Sequence, residues 1–175
     1  EMKLNVKNMT RIAVISAVLC VISPFTIPIG PIPLSLATLG VYIASAILEP
    51  ISATVSVGIY VLLGALGLPV FSGVRGGFSV IAGPTGGYII GYIICAAAAS
   101  YLLHKFPKKV LAPIWYVIST AVLYLFGTLW YMAVTETHFS AAVSVCVVPF
   151  LAGDAIKIAA AMLFSSKLSR IAQRL

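Results

Sequence analysis

The chain has 175 residues, of which 61% are hydrophobic and only 9% charged, and its mean hydropathy is +1.12. A water-soluble domain of this size needs far more polar surface, so the composition excludes an ordinary soluble fold. The formal net charge of +7 points to anionic lipid headgroups rather than nucleic acid, because the cations gather at the ends of apolar runs.

Uncharged stretches cover residues 12–48, 50–74, 76–104, 110–135 and 137–153. A helix needs about 20 apolar residues to cross ~30 Å of hydrocarbon. Each stretch therefore holds at least one span, and the first can hold two. The reading is an all-α integral membrane protein, a single domain over residues 1–175 with six transmembrane helices.

The first predicted helix covers residues 10–23 and ends in a segment from Pro24 to Pro33 whose four prolines forbid a regular helix. The second covers 34–48, and Glu49-Pro50 turns tightly into the third, 51–67. Residues 68–78 are too glycine-rich for a stable helix and read as a loop. The fourth helix, 83–104, starts through Gly83-Pro84-Thr85, and a basic loop over 105–109 leads to the fifth, 113–134. Pro149 is expected to interrupt the last stretch, leaving a short helix before a sixth span over 149–168.

Nine of the eleven cations form three groups: Lys3, Lys7 and Arg11; Lys105, Lys108 and Lys109; Lys167, Arg170 and Arg174. Counted along six spans, these groups fall on one side, and the other side carries only Arg75. The positive-inside rule then places both termini in the cytoplasm.

Small residues recur at Gly83, Gly87, Gly91, Cys95 and Ala99, a stripe that lets helix backbones approach closely inside the fold. Ala13 and Ala17, with Ser16 and Cys20 nearby, make a nearly flat face on the first helix, suited to internal packing or to a partner helix. Cys20, Cys95 and Cys146 lack metal-ligand spacing and read as small apolar packers.

Two ionisable residues resist a purely structural account. Asp154 and Lys157 lie three apart on one helix face, and a charge inside a bilayer costs at least ~2.5 kcal/mol on insertion scales. They form either a mutually neutralising pair or a polar patch that meets a polar ligand. Arg75 is either a solvated loop charge or a guanidinium that pairs with a ligand carboxylate as its loop folds over a cavity. Trp115 and Tyr116 suit an interfacial belt, whereas Trp130 and Tyr131 fit a belt or a pocket wall equally well. His104 and His138 read as interfacial and loop residues. The sequence carries no P-loop, no zinc-protease helix and no nucleophile triad, and no ladder of acids suggests proton coupling.

Several blocks resemble one family. Gly67-Leu68-Pro69-Val70-Phe71, Arg75-Gly76-Gly77 and Gly83-Pro84-Thr85-Gly86-Gly87-Tyr88 are similar to the BioY family, the biotin-specific substrate-binding (S) components of energy-coupling factor transporters. Ile32-Pro33, Thr38-Leu39-Gly40, Gly127-Thr128-Leu129-Trp130, Pro149-Phe150 and Gly153-Asp154-x-x-Lys157 continue the likeness in order. The resemblance implies a multi-pass protein of a prokaryotic plasma membrane with biotin as ligand and neither cofactor, metal nor catalysis. It implies a transmembrane coupling protein and two cytosolic ATPases as partners, ligand contacts from Asp154, Lys157, Arg75, Tyr88, Trp130 and Thr38, and a docking face at Ala13 and Ala17. Two positions depart from the family pattern: Ala37 stands where a glutamine is usual, and Ile89 where some members carry arginine. The lost arginine would leave a ligand carboxylate to Arg75. The nearest rival is an S component for riboflavin or thiamin; a self-sufficient secondary transporter and a membrane enzyme come after it.

Overall fold

A computed structural model describes the backbone of residues 5–28, 32–108 and 110–172, and side chains as far as residue 164. Among the described residues the regular structure is helical apart from one short two-stranded ladder. In chain order it comprises α1 (Val6–Ile22), β1 (Thr26–Ile27), β2 (Leu34–Ser35), α2 (Ala37–Ile47), α3 (Pro50–Ala65), α4 (Phe78–Ala82), α5 (Gly86–Lys105), α6 (Ala112–Thr135), α7 (Phe139–Cys146) and α8 (Val148–Ala172). Among the described residues, three stretches are long and apolar enough to cross a membrane: Gly86–Lys105, Ala112–Thr135 and Phe139–Phe164. α2 and α3 are shorter but equally apolar in character.

The first helix starts earlier than its hydropathy suggests. The Asn5 carbonyl accepts the Asn8 and Met9 N–H groups, so the polar segment carrying Lys7 and Arg11 is already helical. α2 starts later than expected because Leu34 and Ser35 pair antiparallel with Ile27 and Thr26. The Ser35 hydroxyl accepts the Ala37 N–H at 2.8 Å and donates to the Ser23 carbonyl at 3.3 Å, tying this ladder to the start of α2. Residues 29–31 of the segment from Pro24 to Pro33 lie outside the described residues, as do Lys3, Lys109 and Arg174 and the side chains of Lys167 and Arg170. The break in the last stretch falls at Val147, two residues before Pro149, and Pro149 sits in the first turn of α8, where its missing N–H costs nothing. The segment after the glycine-rich loop winds into α4, a short helix absent from the sequence reading.

α5 lies against α2, α3, α4 and α6, and α2 also packs against α1, α3 and α8, so these two form the middle of the bundle. Small residues make the contacts close. A Cβ on Gly91 would meet the Leu123 side chain at 2.7 Å, and one on Gly40 the Leu19 side chain at 2.6 Å. Gly87, Gly91, Cys95 and Ala99 are all buried, so the stripe on this helix serves internal packing. Polar side chains of the interior bond mainly to helix carbonyls or to one another. Ser16 bonds to Ser56, Ser100 to the Leu48 carbonyl, and the Tyr42 and Thr120 hydroxyls to each other. Without water, each such group needs a protein partner. Tyr116 is 1% exposed and donates to the Tyr42 carbonyl, so it belongs to the core and not to an interfacial belt. Trp115 remains half-buried, stacked on Phe106 at a centroid distance of 5.3 Å.

Candidate ligand-binding site

A cavity opens between the first turns of α2 and α5, the middle of α6 and the start of α8. Its floor is polar. On α8, Phe150, Asp154 and Lys157 follow one another at helical spacing and share the face turned to the cavity. Lys157 Nζ donates to Asp154 Oδ1 at 2.9 Å and to Thr38 Oγ1 at 2.8 Å, and Thr38 Oγ1 donates to the same Asp154 oxygen at 3.2 Å. The Tyr124 hydroxyl donates to Asp154 Oδ2 at 2.6 Å. Asp154 is 3% exposed and Lys157 7%.

This inventory limits what the cluster can still bind. An ammonium has three donors, of which two are used; a carboxylate has about four acceptor sites, of which three are used. One N–H of Lys157 and one lone pair of Asp154 are left, a donor and an acceptor of the kinds that a cyclic urea or amide can meet. The ion pair is thus real, and it is also open to the cavity.

The walls are aromatic: Phe71, Tyr88, Tyr92, Tyr124 and Phe150. The Tyr88 hydroxyl donates to the Cys146 carbonyl, and its ring lies 6.2 Å from that of Phe150. A Cβ on Gly127 would come within 2.6 Å of the Tyr88 ring, so the glycine makes room for this wall. Ile89 also lines the cavity and contributes only apolar surface, whereas Ala37 is fully buried and does not reach the lining.

Arg75 is exposed and lines the cavity together with Ser72 and Ser35. Phe71 N–H donates to the Arg75 carbonyl at 2.8 Å, closing a tight turn over Gly73 and Val74, both with positive φ. Phe71 is 1% exposed, set edge-on against Tyr60 and filling the space that Gly64 leaves free, so the turn hangs from a buried anchor. Arg75 Nε donates to the Ser72 carbonyl at 3.3 Å, and no carboxylate pairs with Arg75 among the described residues.

Five of the six residues expected at the site therefore come together: Asp154, Lys157, Thr38, Tyr88 and Arg75. Trp130 does not. Its indole packs against Gly86 and Gly87, and Nε1 donates to the Gly83 carbonyl at 3.0 Å. It fixes the start of α5, from which Tyr88, Ile89 and Tyr92 reach the cavity. Tyr131 is buried in the core and also lies off the lining. Tyr92, Tyr124, Phe71 and Phe150 were missed as site residues. For Tyr92 and Phe150 a signal existed, since each lies four residues from an expected site residue on its own helix.

Ala13 and Ala17 are exposed on α1 together with Val14, Val18 and Val21. Ser16 faces the other way, donating to the Ile12 carbonyl at 2.8 Å and bonding to Ser56 on α3, so it is no part of that surface.

Helices long enough to span a bilayer, surrounding a buried charge cluster at the base of an aromatic cavity, define a multi-pass membrane protein built to bind a small polar molecule. A model of the BioY family matches residues 1–174. The chain is 34% identical over 170 residues to the biotin transporter BioY of Thermotoga maritima, covering 94% of this chain and 97% of that protein. It is 32% identical over 164 residues to the biotin transporter BioY2 of Lactococcus lactis subsp. cremoris, covering 93% and 90%. A crystal structure of the S-component for biotin from an ECF-type ABC transporter superposes with a TM-score of 0.89 at 26% identity, covering 97% of this chain and 95% of that one. The chain belongs to the BioY family.

Proposed function

We propose that this chain is the biotin-binding S component of an energy-coupling factor transporter, taking up biotin from outside and delivering it through an ATP-driven complex. It is a transport protein and not an enzyme. In this reading six spans cross the plasma membrane, with both termini in the cytoplasm. The three basic groups support that orientation, as does the placing of the cavity around the first turns of α5, more than three helical turns from Lys105. ATP hydrolysis belongs to two cytosolic ATPases, joined to this chain by a transmembrane coupling protein that meets the exposed face of Ala13 and Ala17.

The observation that carries the reading is the Thr38–Asp154–Lys157 cluster with one donor and one acceptor free. A ureido ring presents a carbonyl to Lys157 and an N–H to Asp154. The valerate carboxylate goes to Arg75, because at the floor it would face the Asp154 carboxylate, whereas Arg75 has no acidic partner among the described residues. The aromatic walls cover the thiophane ring and the aliphatic chain. Isothermal titration of the purified protein with biotin, riboflavin and thiamin tests this directly. Saturable binding of biotin alone is expected; binding of either other vitamin in its place overturns the choice of ligand. Proteoliposomes containing this chain alone should not accumulate biotin, and accumulation abolished by an uncoupler would favour a self-sufficient transporter.

A further inference from the structure

A second concave surface lies well away from the cavity, on the outside of the bundle between α3 and α5. It is lined by Pro50, Ile51, Thr54, Val55, Ala97, Ala98 and Tyr101. Its polar content is close to nil, because the Thr54 hydroxyl is turned back onto the Pro50 carbonyl at 2.7 Å. Ala97 and Ala98 form the floor; Ile51 and Tyr101, both more than half exposed, stand as its sides. The groove extends over about one helical turn of each helix.

Its end is charged. Lys105 Nζ donates to the Tyr101 hydroxyl at 3.0 Å and lies 5.1 Å from the centre of the Tyr101 ring and 5.7 Å from that of Phe106. The residue that walls the groove thus also holds the ammonium at its rim. That bond uses one of three N–H donors and leaves two for an anion. Lys108 follows on the same exposed loop. Phe106 and Trp115 stack at this end, which marks the depth of the headgroup region, where such rings concentrate. The one acidic residue here is Glu49, exposed at the N-cap of α3; it forms no ion pair with Lys105 among the described residues, and the N-terminal end of α3 offsets its charge.

We propose that this groove is a binding site for one anionic phospholipid, with an acyl chain against Ala97 and Ala98 and the phosphate met by Lys105. The hydrocarbon and the charge are recognised by adjoining residues of one helix. A zwitterionic lipid fills the groove equally well but gains less from the lysine.

Native mass spectrometry of the purified full chain, offered dioleoyl-phosphatidylglycerol and dioleoyl-phosphatidylcholine at equal mole fraction, tests the proposal. The anionic lipid should be retained with about fivefold preference, the effect of one lysine near a headgroup. Lys105→Gln should abolish the preference while leaving lipid retention in place. Ala98→Phe should fill the groove and remove the bound lipid altogether, with the unfolding temperature of each variant serving as the check that the protein is folded. Equal retention of both lipids by the unsubstituted protein overturns the proposal, as does a preference that survives Lys105→Gln. Thermal stabilisation by soluble glycerol 3-phosphate equal to that by the lipid overturns it as well, since the acyl chain would then contribute nothing. None of these outcomes depends on which vitamin occupies the cavity.

Discussion

The Tyr124 hydroxyl on α6 points at Asp154 Oδ2 on α8 from 2.6 Å, leaving the other carboxylate oxygen to Lys157 and Thr38. The tyrosine therefore holds the carboxylate in one rotation about its own axis, and with it the place of the remaining lone pair. A hydrogen bond to a charged group contributes ~1.5 kcal/mol or more. Tyr124→Phe keeps the ring that walls the cavity and should weaken biotin binding about tenfold. An unchanged dissociation constant on titration would mean that Lys157 and Thr38 alone fix Asp154.

The ion pair and the ligand contact separate in a double substitution. Asp154→Asn leaves Lys157 buried without its counter-charge and should cost at least tenfold in affinity, about 1.4 kcal/mol. Asp154→Asn combined with Lys157→Met removes both charges and, with them, the penalty of an unpaired one. If the pair only stabilises the fold, the double variant binds biotin as the original does. The expected result is that thermal stability recovers and biotin binding does not.

Arg75 can be tested through the ligand. Arg75→Ala should weaken binding of biotin, whose carboxylate is free, and leave binding of biotin methyl ester unchanged. Equal losses for both would show that the residue supports the turn and not the carboxylate. Hydrogen exchange offers a second view: residues 72–77 should gain protection with biotin, while Phe71, seated between Tyr60 and Gly64, should be protected in both states.

On α1, Ala13→Trp and Ala17→Trp place a large ring on an exposed apolar face without touching the cavity. Either change should preserve biotin binding in detergent and abolish co-purification with the coupling protein and ATP-driven uptake. Loss of binding as well would reveal a packing role inside the fold, and uptake that persists would move the docking face to another helix.

The wall that Tyr88 forms depends on a missing side chain. Gly127→Ala sets a methyl group against the Tyr88 ring, and overpacking of this kind costs ~1–3 kcal/mol. A lowered unfolding temperature together with weaker biotin binding is the expected pair of effects.

The amino-acid sequence by itself determined the helical membrane class, the basic groups at the ends of apolar runs, and the shared face of Asp154 and Lys157. These are local properties: hydropathy accumulates over some 20 consecutive residues, and three residues along a helix always return to one side. What covers that face was decided only by the tertiary structure. Thr38 reaches Asp154 across 116 positions of chain, and Tyr124 across 30. Trp130, which sequence alone left open between belt and pocket, is drawn instead into the space over Gly86 and Gly87. In a soluble helix, an apolar stripe against a polar one announces which side faces inward. Here lipid and core are both apolar, so a helix such as α5 or α8 carries almost no such contrast. Its rotation is set by which small residues allow a neighbour to come close, and that choice is made by all the helices together.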